Sequence, residues 1–211
     1  MSSEVLNRNN EAMHETLLLK QWLRRYGILL AMVIVIILAI TFGIHYAHQS
    51  RIHQSERASD LYQPLVSENA STIPWANVDE LKNRYSKTPY AAFAVLLKAA
   101  NAVKQNDFKS ALSDYHWVMN HSSLLAAKQI ARINAAKIEL SQSHFNEAQA
   151  LLSVVNDSVY QPMVDELQGD IARVRGDNKM AIQLYQKANN EFKIIGINRP
   201  DLDLKLNSVH L

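Results

Sequence analysis

Residues 166–188 read ELQGDIARVRGDNKMAIQLYQKA. Gly169, Ala172, Ala181 and Ala188 are small, Tyr185 is large, and Gly176-Asp177 interrupts them. Small residues on both sides of a turn let two helices approach closely, and large ones then fill the gaps beside the contact. The stretch therefore predicts a helix hairpin in which Gly169 faces Ala181. Two upstream segments carry the same offsets. Ala99, Ala102, Asn106, Phe108, Ala111, Tyr115 and Val118 form one, with Ala99 facing Ala111; Ala136, Ser143, Phe145, Ala148, Leu152 and Val155 form the other. The anchor alanines Ala111, Ala148 and Ala181 are 37 and 33 residues apart.

A period of about 34 residues with these offsets is that of a tetratricopeptide repeat, one pair of antiparallel helices per unit. A single pair cannot bury its own apolar face, so three stacked pairs with caps are the smallest stable array. Local punctuation agrees. Thr88-Pro89 supplies an N-cap followed by a proline at the first helical position, where a missing N–H is harmless. Asn106-Asp107, Ser141-Gln142-Ser143 and Gly176-Asp177 stand where the hairpin turns belong. Gly196 stops a helix, and Pro200 opens a short final one that would cap the last repeat. Upstream, a polar helix is expected from Arg51 to about Val66, a loop over Ser67–Pro74 and a short helix over Asn77–Tyr85. Five Gly and five Pro in 211 residues are too few for a sandwich or barrel with many tight turns. The expected fold is all-α: one N-terminal transmembrane helix followed by an α-solenoid of tetratricopeptide-like hairpins.

The transmembrane helix is read from Tyr26 to Ile44, YGILLAMVIVIILAITFGI, a run without charge. At about 1.5 Å per residue it reaches about 28 Å, the thickness of a hydrocarbon core. Trp22, Tyr26 and Tyr46 flank it at headgroup level. It is too long for a cleavable signal, and no good small-x-small site follows. Arg8, Lys20, Arg24 and Arg25 precede the run, against Arg51 and Arg57 after it, so the N-terminus should lie in the cytoplasm and the distal domain outside. The domain plan is a cytoplasmic tail at 1–25, the span at 26–46, a juxtamembrane helix, loop and irregular first repeat at 47–87, and repeats with a C-terminal capping helix at 88–211.

Several function classes fall away. The first 50 residues hold four basic and three acidic side chains, which leaves 18 against 17 in the remainder. Without a basic stripe, nucleic-acid binding is not expected. The chain has no cysteine, which removes disulfides, thiolate nucleophiles and Cys-based zinc sites. HExxH, GxSxG, GxxxxGK and GxGxxG are all absent. His45 and His48 have a metal-ligand spacing but no convincing acidic third ligand. No enzyme activity, cofactor, metal or small-molecule substrate is expected.

What remains is binding of other polypeptides. The first helix of each pair lines the concave face of such an array, at positions i, i+3, i+7 and i+10. These map to Phe93, Leu96, Ala100 and Val103; to Ile130, Ile133, Lys137 and Leu140; and to Met163, Glu166, Asp170 and Arg173. Leu96 and Ala100 stand where a carboxylate-binding groove would need cations, so apolar or helical segments are the expected ligands rather than an acidic C-terminus. Polar substitution of Phe93, Leu96 and Ile133 should abolish capture without unfolding the domain.

The order of tail, span, Ala/Ser-rich helix, three hairpins and a closing LDLKLNSV resembles the YfgM-type ancillary subunit of the bacterial SecYEG translocon. RASDLYQPLV after the span, LQGDIARVRGDNKMAIQLY in the third repeat and Leu204-Lys205-Leu206-Asn207 carry the resemblance, which covers nearly the whole chain. It implies a single-pass inner-membrane protein with a periplasmic domain. Its partners would be the SecYEG translocon, a membrane-anchored periplasmic chaperone, and unfolded or newly exported polypeptides. The alternative is a scaffold for another envelope machine, in cytochrome maturation or outer-membrane assembly. The family carries no catalytic residues across.

Overall fold

The computed structural model describes the backbone of residues 2–67 and 73–209, with side chains at 24–26, 29, 31–45, 49 and, within those limits, from 52 onward. The described residues are all-helical. In order they form α1 (Ser2–Val66), α2 (Trp75–Arg84), α3 (Pro89–Lys104), α4 (Phe108–His121), α5 (Leu125–Ser141), α6 (Phe145–Ser153), a 3-10 turn at Ser158–Tyr160, α7 (Gln161–Val174), α8 (Asn178–Ile194) and α9 (Pro200–Val209). Two units are distinguished, residues 1–53 and 54–211.

In the distal unit the three expected turns, α3–α4, α5–α6 and α7–α8, are closed by one backbone device. The N–H of Asp107 donates to the Ala102 carbonyl at 2.9 Å, that of His144 to Glu139 at 2.8 Å and that of Asp177 to Ala172 at 2.9 Å. The preceding residue in each turn bonds three positions back, which completes a Schellman motif and satisfies carbonyls that a helix end would otherwise leave open. The left-handed position is Asn106, Ser143 and Gly176 in turn, at φ of 60°, 65° and 82°. Repeats without the turn glycine thus adopt the glycine conformation all the same. Asp107 and Asp177 then serve the next helix as N-caps, accepting from Ser110 and Met180 N–H groups. Gly196 closes α8 with the same bonds, and Thr88 caps α3 ahead of Pro89 as its position predicts.

The core is divided along the chain rather than gathered in one centre. A first cluster runs from Ala58 and Leu65 of α1 through Val78, Leu81, Val95 and Ala111 to Ile138; a second joins Ile133, Ala148, Leu152, Val164 and Ile171; a third joins Ala181, Tyr185, Phe192, Leu202 and Val209. Successive hairpins each bury their apolar stripe against the next, as a stacked array must. Ala99, Ala111 and Ala181 are fully buried, in keeping with close helix approach. The tightest contact in the third hairpin nevertheless differs from the expected Gly169–Ala181 pair. A Cβ at Gly169 would lie 2.6 and 2.7 Å from carbons of the Tyr185 ring, so the missing side chain makes room for that ring.

In the proximal unit, the expected 26–46 span is only partly covered by described side chains, of which Ala31–His45 is the longest continuous run. Among the described residues no helix is long and apolar enough to cross a membrane. The tail at 1–25 lies almost wholly outside the described side chains. The apolar side chains from Met32 to Ile44 that are described are all exposed.

Candidate functional site

The first helices of the three hairpins, α3, α5 and α7, carry the twelve groove positions, and the structure separates them into open, buried and occupied sets. Phe93 is 41% exposed and its ring centroid lies 6.4 Å from that of Tyr62 on α1, which also packs against Tyr90 at 5.7 Å. Ile130 is 36% exposed. Ala100, Lys137 and Arg173 are exposed, while Leu96, Val103, Leu140 and Met163 are half-buried against the core clusters. Among the expected groove positions of α3 and α5, the exposed large apolar side chains are therefore Phe93 and Ile130, with Tyr62 beside Phe93. Burial raises the Tyr62 phenol above its ordinary range, so its hydroxyl stays protonated at physiological pH.

Ile133 is not a groove residue. It is 2% exposed and packs in the second core cluster with Ala136, Ala148 and Leu152. The expectation that a polar side chain there would leave the fold intact is corrected accordingly. The periodicity placed Ile133 on the right face of α5, but that face also meets α6 and α7, and the stacking of neighbours covers it.

Glu166 is also withdrawn from the open set. It is 9% exposed, and its two carboxylate oxygens accept from Arg199 Nη2 and Lys205 Nζ, each at 2.8 Å. Lys205 also donates to Asp170 Oδ2 at 2.7 Å, and the Tyr185 hydroxyl donates to Asp170 Oδ1 at 2.8 Å. Arg199 lies over the Phe192 ring at 4.8 Å and Lys205 over Tyr185 at 5.6 Å, a placement that lets the ring quadrupoles share in holding the cations. Burial, followed by the Asp170 contact, pushes the Tyr185 phenol far up. Hydrogen bonding to Asp201 comes first among the effects that raise Arg199, and the same contact lowers the Asp201 carboxyl to about 2. Two of the third repeat's four expected ligand positions, Glu166 and Asp170, are thus taken by the chain's own C-terminal segment.

A neighbouring set locks α7 to α8. Asp165, 2% exposed, accepts from Gln161 at 2.8 Å and pairs with Lys187 at 2.7 Å. That pairing raises Lys187. Asp165-Glu166 is therefore a structural pair of carboxylates, each answered by cations. Arg199, Lys205 and Tyr62 are the residues the groove pattern did not single out. The only trace of the first two in the sequence is opposite charge: acids at groove positions 166 and 170, bases at 199 and 205.

Among the described residues no group of three or more His, Asp or Glu is placed to hold a metal ion. Stacked antiparallel hairpins and a segmented core define an α-solenoid of the helix-hairpin repeat class, whose surfaces suit extended or helical peptide segments. The chain belongs to the family described as tetratricopeptide repeat-like domain, whose family model matches residues 20–210. It is similar to the ancillary SecYEG translocon subunits of three bacteria. The Haemophilus influenzae protein is 23% identical over 81% of this chain and 84% of its own length. The Aggregatibacter actinomycetemcomitans protein is 26% identical over 84% and 88%, and the Neisseria gonorrhoeae protein 20% identical over 83% and 87%. No solved structure matches the chain.

Proposed function

We propose that this chain is a membrane-anchored adaptor associated with the SecYEG translocon, which binds newly exported polypeptides and helps pass them to a periplasmic chaperone. The observation that carries the reading is the extent of the likeness: three relatives bearing one name each align with more than four-fifths of the chain. The family match begins at residue 20, so it takes in the apolar run as well as the repeats.

The anchor is residues 26–46, with 1–25 in the cytoplasm and 47–211 in the periplasm. Ten large apolar side chains between Met32 and Ile44 stand exposed, a contiguous surface that in water would be covered by something; a bilayer covers it. The excess of flanking Lys and Arg on the N-terminal side supports the orientation. The adaptor works by binding, with Phe93 and Ile130 as apolar contacts, Met163 at their margin, and Lys137 and Arg173 at the polar edge of the groove.

Crosslinking in native membranes followed by mass spectrometry tests this reading. Translocon and chaperone peptides should be recovered with the wild-type chain, and the chaperone and client peptides should be lost with Phe93→Ser/Ile130→Ser. Recovery of haem-handling or outer-membrane assembly components instead would overturn it. Release of the chain from membranes by carbonate would remove the anchor.

A further inference from the structure

The two central groove positions of the third repeat are Glu166 and Asp170, one turn apart on α7, where the first two repeats have Leu96 and Ala100, and Ile133 and Lys137. Their occupant is a segment that leaves α8 at Gly196, with φ of 77°, and returns as α9. It presents Arg199 and Lys205, six residues apart, on either side of Leu202. Both cations reach the α7 carboxylates, while Leu202 and Val209 enter the third core cluster and hold the segment down.

Three features distinguish this seat from a permanent cap. The segment carries its own competitors: Arg199 and Lys205 are balanced by Asp201 and Asp203, and Arg199 Nη2 divides itself between Glu166 and Asp201 while Nε goes to Asp201 alone. Its fit is also incomplete. Asn189 on α8 is 5% exposed and donates through Nδ2 to Asp203 at 2.8 Å, yet its Oδ1 is buried without a donor among the described residues. A buried acceptor left open favours any occupant that supplies the missing N–H. Finally, the side chains of Arg199 and Lys205 are 26% and 29% exposed, open to approach from solvent, and α9 has ten residues, fewer than the roughly 12–15 at which a helix by itself becomes even marginally stable.

We propose that Glu166 and Asp170 form a binding site for a basic polypeptide segment with cations spaced as Arg199 and Lys205 are, and that residues 197–209 cover this site in cis until such a segment displaces them. A ligand with the same cations and no intervening acids gives its charge wholly to α7, which is how it prevails over the cis segment. The inference rests on the reading of the array as a polypeptide binder and adds a second place to it, apart from Phe93 and Ile130.

The probe is a fluorescent peptide copying residues 197–209 with Asp201→Asn and Asp203→Asn, titrated by anisotropy into the full-length chain in mild detergent. It should bind the wild-type chain, and bind Arg199→Ala/Lys205→Ala about tenfold more tightly, because removing the cis cations raises the fraction of open sites. Adding Glu166→Gln/Asp170→Asn to that variant should weaken binding about tenfold or more, and the same peptide with Arg199→Glu and Lys205→Glu should not bind. In the wild-type chain, saturating peptide should speed hydrogen exchange across the α9 backbone while α7 and α8 stay protected. Phe93→Ser/Ile130→Ser should leave the peptide affinity unchanged although it abolishes client crosslinking, so failure of the groove reading and failure of this one are told apart. Unchanged α9 exchange under saturating peptide overturns the proposal, as does binding indifferent to Glu166→Gln/Asp170→Asn or lost with Phe93→Ser/Ile130→Ser. Loss of α7 and α8 protection in Arg199→Ala/Lys205→Ala would also overturn it, by showing the segment to be an indispensable part of the fold.

Discussion

Replacing Gly169 by alanine should destabilise the distal unit, against the usual expectation for a glycine inside a helix. At an unconstrained interior position the change would gain about 1 kcal/mol from helix propensity. Here the new methyl carbon would stand 2.6 Å from a Tyr185 ring carbon. The ring has little room to yield: it is fully buried, its hydroxyl is bonded to Asp170, and Lys205 lies over its face. Overpacking costs about 1–3 kcal/mol, and pulling the hydroxyl from Asp170 costs about 1–2 kcal/mol more. Set against the propensity gain, the net loss is about 2 kcal/mol, which for a unit of this size lowers the melting temperature by roughly 4–8 °C. Thermal unfolding of the full chain in mild detergent, followed by far-ultraviolet circular dichroism, measures it. Combining Gly169→Ala with Tyr185→Leu should recover most of the alanine penalty relative to Tyr185→Leu alone, because the two sites couple through one contact. A melting temperature unchanged or raised by Gly169→Ala would refute the close approach and the packing argument with it.

Three further outcomes follow from the same geometry. Ser143→Gly, at a left-handed position with φ of 65°, should stabilise the array by about 0.5–1 kcal/mol, seen as a higher urea midpoint; Gly176→Ser should do the reverse. Ile133→Ser should cost about 3–5 kcal/mol and melt the middle of the array, whereas Phe93→Ser and Ile130→Ser should leave the urea midpoint nearly unchanged and weaken capture of an unfolded client in pull-down. The Asp201 carboxyl, held at about 2 in the folded chain against 3.8 as its ordinary value, contributes stability that is complete above pH 4 and is lost as pH falls through 2; Arg199→Ala should return its titration, followed by carboxyl carbon NMR shift, to the ordinary range.

Helix boundaries were legible because they rest on local chemistry. Thr88-Pro89, Asn106-Asp107 and Gly176-Asp177 are capping and turn signals whose effect is complete within a few residues, and the structure places ends at each. The missing turn glycine of the first two repeats matters little, since Asn106 and Ser143 accept the backbone conformation that Gly176 takes. Groove membership was harder to read. Periodicity says which side of a helix a residue occupies but not what stacks upon that side, and so Ile133 falls in the core and Glu166 under Arg199 and Lys205. The contact of Gly169 with Tyr185 rather than Ala181 has the same origin: offsets along two helices do not fix which side chain leans across the hairpin. The bonds from 199 and 205 back to 166 and 170 span more than thirty residues, and no local pattern announces them.

The aspartates that end one helix and begin the next have a bearing on how the chain comes to be folded. Because each junction is sealed by bonds among residues five or fewer apart, its turn can form as soon as its own thirty-odd residues are available, and each new hairpin then buries its apolar face against the one before it. A polypeptide delivered lengthwise would then acquire its architecture in instalments, from Pro89 onward, and only the final latch of Arg199 and Lys205 would depend on the terminus having arrived. Pulse-labelling hydrogen exchange on progressively truncated chains would register this as protection of the α3–α4 backbone that is already present before α9 exists.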